Sequence, residues 1–572
     1  MILFSFNCVG IAETLEQLVF EPKWLERNMT NFPQDMAGLD FKWDVDEENP
    51  DKKESASSRK AGELLGQKAL QVTVLCDQGH LLGINTILYL PPPSMDGESD
   101  EAGHQKVFAS IAAELEKKFG SKGEQLKHSI GVNMRWYAKD SVYDLKGLPM
   151  MIEYREKDKT TKRLTYTVWL ATYPSLEILV FSPKLWEQSG TRFAEQNAMM
   201  GFQWTSASKD SARSAWPGKF MGIDIPEAIV RVKSEKLASI DLSLFNRGDS
   251  GESKFPDSKS FAEFVQEVRA ALDKKLDAKA TPRPSDSRNV SRTEGVIWKG
   301  PHAYYLLEWN ETRANPSRRI PYHAEFLRLS VAPAVSTTEA GVPKQWKGTD
   351  HLKTESNGDK YIYDVPMVDQ GQKGYCAVAV AERVLRYYGK DVDQHEIAKL
   401  AGSSSSMGTS IDELHAALKS ISSKLRLRTK TIFEPDERFV RSMVNDYNKA
   451  AKRMKKDQVV LGAGWENSLD KDVLKESRSK DRSALNRFER NIETYVDQGK
   501  PLLWSVYIGW APEPKILPQT RGGHMRLIIG YNKKESEIIF TDTWGAGHEM
   551  KKMKLEDAWT MTRGLGVMEP SL

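Results

Sequence analysis

Gln370, Cys376, His524 and Asp542 are side chains whose types and spacing could carry out acyl transfer through a thiol. Cys376 stands where the glycine-bearing stretch "DQGQKGY" gives way to the apolar-periodic "CAVAVAERVLRYYG". A thiol at the start of a helix meets unpaired backbone N–H groups and the positive end of the helix dipole, and both favour the thiolate. The gain is large. A free thiol of pKa ~8.5 is only about 3% ionised at pH 7, whereas this setting with a cationic partner lowers the pKa to ~3.5–7.5.

A thiolate that attacks an acyl carbon leaves negative charge on the carbonyl oxygen, and preorganised donors must meet it. Gln370 lies six residues before Cys376, across a segment whose Gly371 and Gly374 permit sharp turning. It can fold its carboxamide beside the Cys376 N–H; Gln372 is the rival, only four residues from the thiol. The candidate base is His524, which follows two glycines and opens the apolar run "MRLIIGY". The polar turn "NKKES" then leads to "EIIFTD", which ends at Asp542. In an antiparallel hairpin the start of one strand lies beside the end of the next. Asp542 can therefore fix the imidazole tautomer and stabilise its cation. Taken alone, a His–strand–Asp pattern also reads as a satisfied surface pair.

Two kinds of element must position these groups. After Cys376, Ala377, Val380, Ala381, Val384, Leu385 and Tyr388 share one helical face; Glu382, Arg383 and Arg386 share the other, and Gly389 is placed to end the helix. His524 and Asp542 need the hairpin.

The rest of the chain narrows the function classes. At 40% apolar and 28% charged residues the composition is that of an ordinary globular protein. With 82 basic and 79 acidic residues the net charge is +3, which gives no reason to invoke nucleic acid or an anionic membrane surface as partner. Cys8, Cys76 and Cys376 make neither a disulfide framework nor a zinc-type pair, so no metal or organic cofactor is implied. Cys76, in the strand-like "QVTVLC", reads as a buried small residue. Basic runs such as "KRMKK" (452–456) read as solvated helix faces.

Residues 1–14 read as a possible signal peptide or its remnant, since residues 2–12 form an apolar run of signal-core length. That favours an exported or cell-envelope protein over a cytoplasmic one; a first buried strand is the alternative. No other apolar span is long enough to cross a bilayer, so no integral membrane domain is expected.

The N-terminal half repeats itself. "LEQLVFEPKW" at 15–24 is echoed by "LEILVFSPKL" at 176–185, an offset of 161 that also relates Phe41 and Trp43 to Phe202 and Trp204. "FASIAAELEKKFG" (108–120) is echoed by "FVQEVRAALDKKLD" (264–277), and Trp136 answers Trp298. A period this long implies a small domain in each copy. Residues 15–172 and 176–333 are thus expected to be a tandem duplication of α+β domains. Each should have an antiparallel sheet and one covering helix, with Phe261, Phe264, Val265, Val268, Ala271 and Leu272 as the buried face of the second. Trp43 and Trp204 read as core. Residues 334–360, rich in Ser, Thr, Gly and Pro, read as a linker, and 361–572 as the final domain.

Three segments of that final domain carry a family resemblance: Q-G-x-x-x-x-C, G-G-H before an apolar strand, and D-T-W-G after a second strand. Together they resemble the papain-like cysteine peptidases, and most of all the bacterial family that cuts double-glycine leaders from bacteriocin precursors. The likeness covers about residues 361–566 and includes "GTSIDELHAALKS" (408–420), whose Ser410 and Glu413 form a capping box. It implies an α+β peptidase fold acting on a peptide or protein. Cys376 would be nucleophile, His524 base, Asp542 its orienting partner and Gln370 the oxyanion donor, with Trp544 shielding the His–Asp bond. There are departures. Ala377 stands where many members carry glycine, and 423–500 is longer and more charged, with added amphipathic helices that either cover the cleft or decorate the surface. Deamidation or transamidation on the same fold, and a catalytically silent scaffold, are the alternative functions.

Overall fold

The computed structural model describes residues 13–570 apart from 91–100, 335–347, 391–396 and 398–426, shorter stretches such as 46–52, 194–199, 284–292 and 371–375, and some isolated positions. The expected signal segment with Cys8, and the helix at 408–420 with its capping box, lie outside the described residues. The chain divides into two compact units. One comprises residues 1–203 with 216–224 and 232–238; the other comprises 204–215, 225–231 and 239–572.

The first eight-stranded antiparallel sheet contains β1 (Lys42–Trp43), β2 (Ser55–Ser58), β3 (Gln71–Asp77), β4 (His80–Tyr89), β5 (Glu124–Gln125), β6 (Val132–Tyr137), β7 (Ser141–Glu156) and β8 (Lys159–Pro174). Their order is β1-β2-β3-β4-β8-β7-β6-β5. Two helices belong with it: α1 (Leu15–Phe20), closed at its start by a Thr14–Gln17 capping box, and α2 (Glu101–Phe119). Cys76 is buried in β3, as its strand-like surroundings imply.

The second sheet contains β9 (Phe202–Trp204), β10 (Ser211–Ser214), β11 (Glu227–Lys233), β12 (Lys236–Asn246), β13 (Thr281–Pro282), β14 (Glu294–Lys299), β15 (Ala303–Thr312) and β16 (His323–Pro333). Its order, β9-β10-β11-β12-β16-β15-β14-β13, is that of the first sheet. The helix α3 (Leu176–Phe181) starts at Ser175, whose hydroxyl accepts from Ile178 N–H. The helix α4 (Ser258–Leu276) buries Phe261, Val265, Val268 and Leu272 on one face, because those positions recur at helical spacing. Trp136 and Trp298 are each 1% exposed, and each donates its indole N–H near the end of a helix: Trp136 to the Ser121 carbonyl and Trp298 to Asp273. Burying a side chain of this size, with its N–H satisfied, stabilises a fold by roughly 1.5–3 kcal/mol. Trp43 and Trp204, expected in the core, are only half-buried, since both lie on the first strand of a sheet; a lysine rests over each ring, Lys53 and Lys209 respectively.

The C-terminal sheet contains β17 (Leu352–Thr354), β18 (Asp359–Ile362), β19 (Leu427–Phe433), β20 (Leu502–Ile508), β21 (Gly522–Asn532), β22 (Glu537–Thr541), β23 (Lys551–Lys554) and β24 (Thr562–Pro570). The order is β17-β18-β21-β20-β24-β19, with β22 also beside β21 and β23 beside β22. Part of the segment read as a linker is therefore sheet: β17 and β18 pair with each other, and β18 pairs with β21. Strands of three and four residues around the turn "ESNG" are too short for alternation to show.

Against this sheet lie α5 (Cys376–Tyr387) and three inserted helices, α6 (Glu437–Met454), α7 (Lys471–Arg478) and α8 (Arg482–Val496), followed by α9 (Leu555–Met561). Asp436, Asp470 and Asp481 cap the inserted helices, each accepting from a first-turn backbone N–H. Their apolar stripes, including Tyr447, Leu474, Phe488 and Ile492, join the same core as α5 and the sheet. The insertion is thus built into the core and is more than surface decoration.

Candidate active site

Cys376 is the first residue of α5 and is half-buried. Gly389, at φ +70°, turns the chain just past the helix, as its place in the sequence implies. The charged face of α5 is buried as well at Glu382 and Arg383. Glu382 and Arg383 are 2% and 1% exposed, and Glu382 pairs with Arg386 at 2.5 Å. The reason lies in tertiary contacts that helical spacing cannot show. Arg383 donates to the carbonyls of Pro366 and Asp542 and to the Thr541 hydroxyl, tying the thiol's helix to the strand end that carries Asp542.

β21 and β22 form the expected hairpin, with Leu527 opposite Thr541 and Ile528 opposite Phe540. His524 and Asp542 meet there: Nε2 lies 2.7 Å from Oδ1, and both side chains are buried. The opposite ring nitrogen, Nδ1, makes no hydrogen bond of standard geometry, while the Cys376 thiol is near enough for each group to perturb the other. Burial pushes the Cys376 thiol up, but His524 and the backbone N–H groups of Met525 and Ala377 outweigh it and leave the pKa below the ordinary thiol value. Burial pulls His524 down, and its bond to Asp542 and the nearby thiol more than offset this, leaving it raised. Both shifts point the same way, toward thiolate and imidazolium.

Gln370 is buried and held at two points. Its N–H donates to the Thr543 carbonyl at 2.9 Å, and the Thr543 hydroxyl donates to its Oε1 at 2.5 Å. An amide oxygen occupied in this way fixes the carboxamide plane and directs the NH₂ group to the other side. Trp544 stacks on His524, with ring centroids 4.2 Å apart and planes 6° from parallel.

Residues 362–567 match the Peptidase_C39 like family. The segment is a papain-like cysteine peptidase fold. A search among curated proteins finds no match. Family resemblance and fold thus agree on the C-terminal region, where the matched segment includes Gln370, Cys376, His524 and Asp542.

Sequence reasoning missed the groups around Asp542. Arg526 Nε donates to Oδ1 at 3.0 Å, Lys551 Nζ to Oδ2 at 2.8 Å, and Glu513 accepts from Arg526 Nη1 at 2.9 Å. Arg526 had a signal available: two residues beyond His524 on a strand, it must project from the same face. Lys551 had none, because β23, although the next strand after β22 and paired with it, is the charged run "KKMK" without a strand pattern. A further contact comes from the loop between β9 and β10. The Ala207 N–H donates to Glu549 at 2.8 Å, and a side chain added at Gly545 would meet the Asp369 carboxylate. Among the described residues no cluster of side chains has the makeup of a metal site, and no helix is long and apolar enough to cross a membrane.

Proposed function

We propose that the protein is a thiol hydrolase, a cysteine peptidase that cleaves peptide bonds through an acyl-enzyme on Cys376. The observation that carries this reading is the His524 ring, bonded through Nε2 to a buried carboxylate at 2.7 Å while the thiol perturbs it in turn.

In the first step the Cys376 thiolate attacks the scissile carbonyl carbon, and the C=O electron pair moves onto oxygen. Gln370 and the Cys376 N–H serve as donors to that oxyanion, each donor being worth roughly 2.7–4 kcal/mol of transition-state stabilisation. As the oxyanion collapses, the C–N bond breaks and imidazolium Nδ1 gives its proton to the leaving amine. Water then attacks the thioester, with Nδ1 taking its proton, and the acid leaves as the thiolate returns. Asp542 stays ionised throughout and holds the tautomer. Trp544 covers the ring face and keeps water from the His–Asp bond.

The N-terminal half is read as a tandem duplication in an accessory role. The identical strand order and the matching buried tryptophans support the duplication. The hydrogen bond from Ala207 to Glu549 supports a regulatory or positioning role, since it joins the second copy to the loop after Asp542.

The test is the alkylation rate of Cys376 by iodoacetamide against pH, read by site-resolved mass spectrometry in the native chain and in His524→Ala. The reading expects a rate that stays high below pH ~7 and collapses in the variant. A rate that tracks an ordinary thiol near pH ~8.5, and is unmoved by the substitution, sinks it in favour of a binding or scaffold role.

A further inference from the structure

The Asp542 carboxylate does more than face an imidazole, because each of its oxygens is also held by a cation. His524 Nε2 and Arg526 Nε share Oδ1 at 2.7 and 3.0 Å, and Lys551 Nζ takes Oδ2 at 2.8 Å. Arg526, Lys551 and Asp542 are all less than 5% exposed. Orienting an imidazole needs one hydrogen bond, and a buried guanidinium and a buried ammonium are costly to place there without a further role.

The surrounding charges form a small set. Arg526 comes from β21, Lys551 from β23 and Glu513 from the loop before β21. Arg383 arrives from α5 onto the Asp542 carbonyl and is itself influenced by Asp542 and Glu549; Cys376 faces the ring from the same helix. His548 meets the edge of Trp544. Asp542 and Glu513 oppose Arg526 and Lys551, with Arg383 a further cation on the Asp542 carbonyl, so the Asp542 carboxylate does not face the Cys376–His524 pair uncompensated. Left alone, a buried Asp542 would grip the imidazolium proton strongly, and a group that must donate that proton to a leaving amine would become a poor acid.

We propose that Arg526 and Lys551 are positioning residues that pin the Asp542 carboxylate by both oxygens and limit how firmly His524 holds its proton. This rests on the cysteine-peptidase reading but concerns a different property, the proton affinity of the base. The geometry gives two effects of one arrangement. With Oδ1 and Oδ2 both occupied the carboxylate cannot rotate, which fixes the imidazole plane beneath Trp544. With its charge shared, it stabilises imidazolium less than a bare carboxylate would. Asp542 itself is held well below the usual carboxylate range: burial opposes this, and Arg526, His524 and Lys551 overcome it.

The experiment uses the full chain and needs no substrate. Alkylation of Cys376 by neutral iodoacetamide marks where the thiolate forms. The excess rate with anionic iodoacetate marks where imidazolium is present, and its fall marks the upper limb. Removing a nearby positive charge raises the proton affinity of every neighbouring acid, most for the one closest to Asp542. Lys551→Met is therefore expected to move the upper limb up by about one pH unit, with a smaller upward move of the lower limb. Lys551→Arg should restore the native position. Glu513→Gln keeps an acceptor for Arg526, lies nearer the surface, and should move the upper limb down by about half a unit. Opposite signs from the two substitutions are what a merely structural role would not produce. If Lys551→Met fails to fold, Glu513→Gln carries the test alone. Limbs that stay put in the folded variants overturn the proposal and leave the peptidase reading standing. A Cys376 that reacts as an ordinary thiol, indifferent to His524→Ala, overturns both.

Discussion

Two buried carboxylates, one in each compact unit, show how alike charge clusters differ in use. In the first unit Asp144 takes Arg135 Nε and Nη2 at 2.7 and 2.9 Å, and the Tyr173 hydroxyl donates to it at 3.0 Å. In the second, Asp542 takes Arg526, Lys551 and His524. Both carboxylates are fully buried and both bind an arginine. The Asp144 cluster is closed, for its partners are a guanidinium and a phenol that keep their protons near neutral pH. The Asp542 cluster is open at one end, where an imidazole, its proton affinity raised by Asp542 and the thiol against the effect of burial, passes its influence on to a thiol. A buried ion pair is therefore weak evidence of function by itself. What matters is whether it ends in a group that can change its proton.

The comparison can be broken or sharpened by substitution. The largest effect belongs to the group at the open end. Cys376→Ala should lower kcat/KM by at least ~10⁴-fold in a peptide-turnover assay, as losing a nucleophile does elsewhere, whereas Cys76→Ala should leave turnover at the native level. A variant of Cys376 that retains turnover would end the case for acyl-enzyme chemistry.

Next come the carboxylates themselves. Asp542→Asn and Asp144→Asn each leave buried cations uncompensated, and each should cost about 3–5 kcal/mol in denaturant unfolding. Only Asp542→Asn should also slow alkylation of Cys376 at pH 7. Equal slowing by both would show that the clusters do not differ as described.

Gln370→Ala separates oxyanion binding from thiol activation. It should reduce kcat by roughly 10²–10³-fold while the alkylation rate stays native, because displacement at iodoacetamide develops no oxyanion. A parallel fall in alkylation would assign Gln370 to the thiol instead.

The pH dependence of stability follows from Asp542. Its folded-state pKa is depressed, so its contribution is complete above the unfolded value of ~3.9 and is lost as pH falls through the folded value. The apparent Tm should decline as pH is lowered below about 4, and less steeply in Asp542→Asn. A Tm that holds steady there would show that the cluster does not stabilise the fold.

The smallest effect is expected at Glu549→Ala, which removes the acceptor for the Ala207 N–H. A change of about two- to fivefold in kcat/KM would make the second sheet a regulator of turnover; no change would leave the N-terminal half to some other task.

Much of the site was legible in the residues because its parts are local. The Cys376 helix, with its stripe from Ala377 to Tyr388, and the hairpin joining His524 to Asp542 each depend on contacts between near neighbours in the chain. Periodicity and turn chemistry are enough to find such elements. The echo of Phe41–Trp43 in Phe202–Trp204 is a matter of equal spacing in the sequence, and the two N-terminal sheets share one strand order.

Other features depended on which strands lie side by side. Lys551 opens the strand that follows β22 and pairs with it, but the charged run "KKMK" carries no strand pattern to announce that pairing. Arg383 falls on the charged face of its helix, and helical spacing separates apolar from charged faces but cannot say that a charged face will be covered and its donors satisfied. The strands at 352–362 were too short and polar to stand out from a linker.

The sequence by itself therefore determined which groups can do chemistry: a thiol at a helix start, a histidine and an aspartate at the ends of one hairpin, and a glutamine within turning distance of the thiol. Only the tertiary structure decided what surrounds them, and so how acidic or basic each becomes. Element identity is set by short-range pattern, whereas the electrostatic environment is completed by long-range packing, which brings Arg383 from α5 onto the Asp542 carbonyl and buries the cluster.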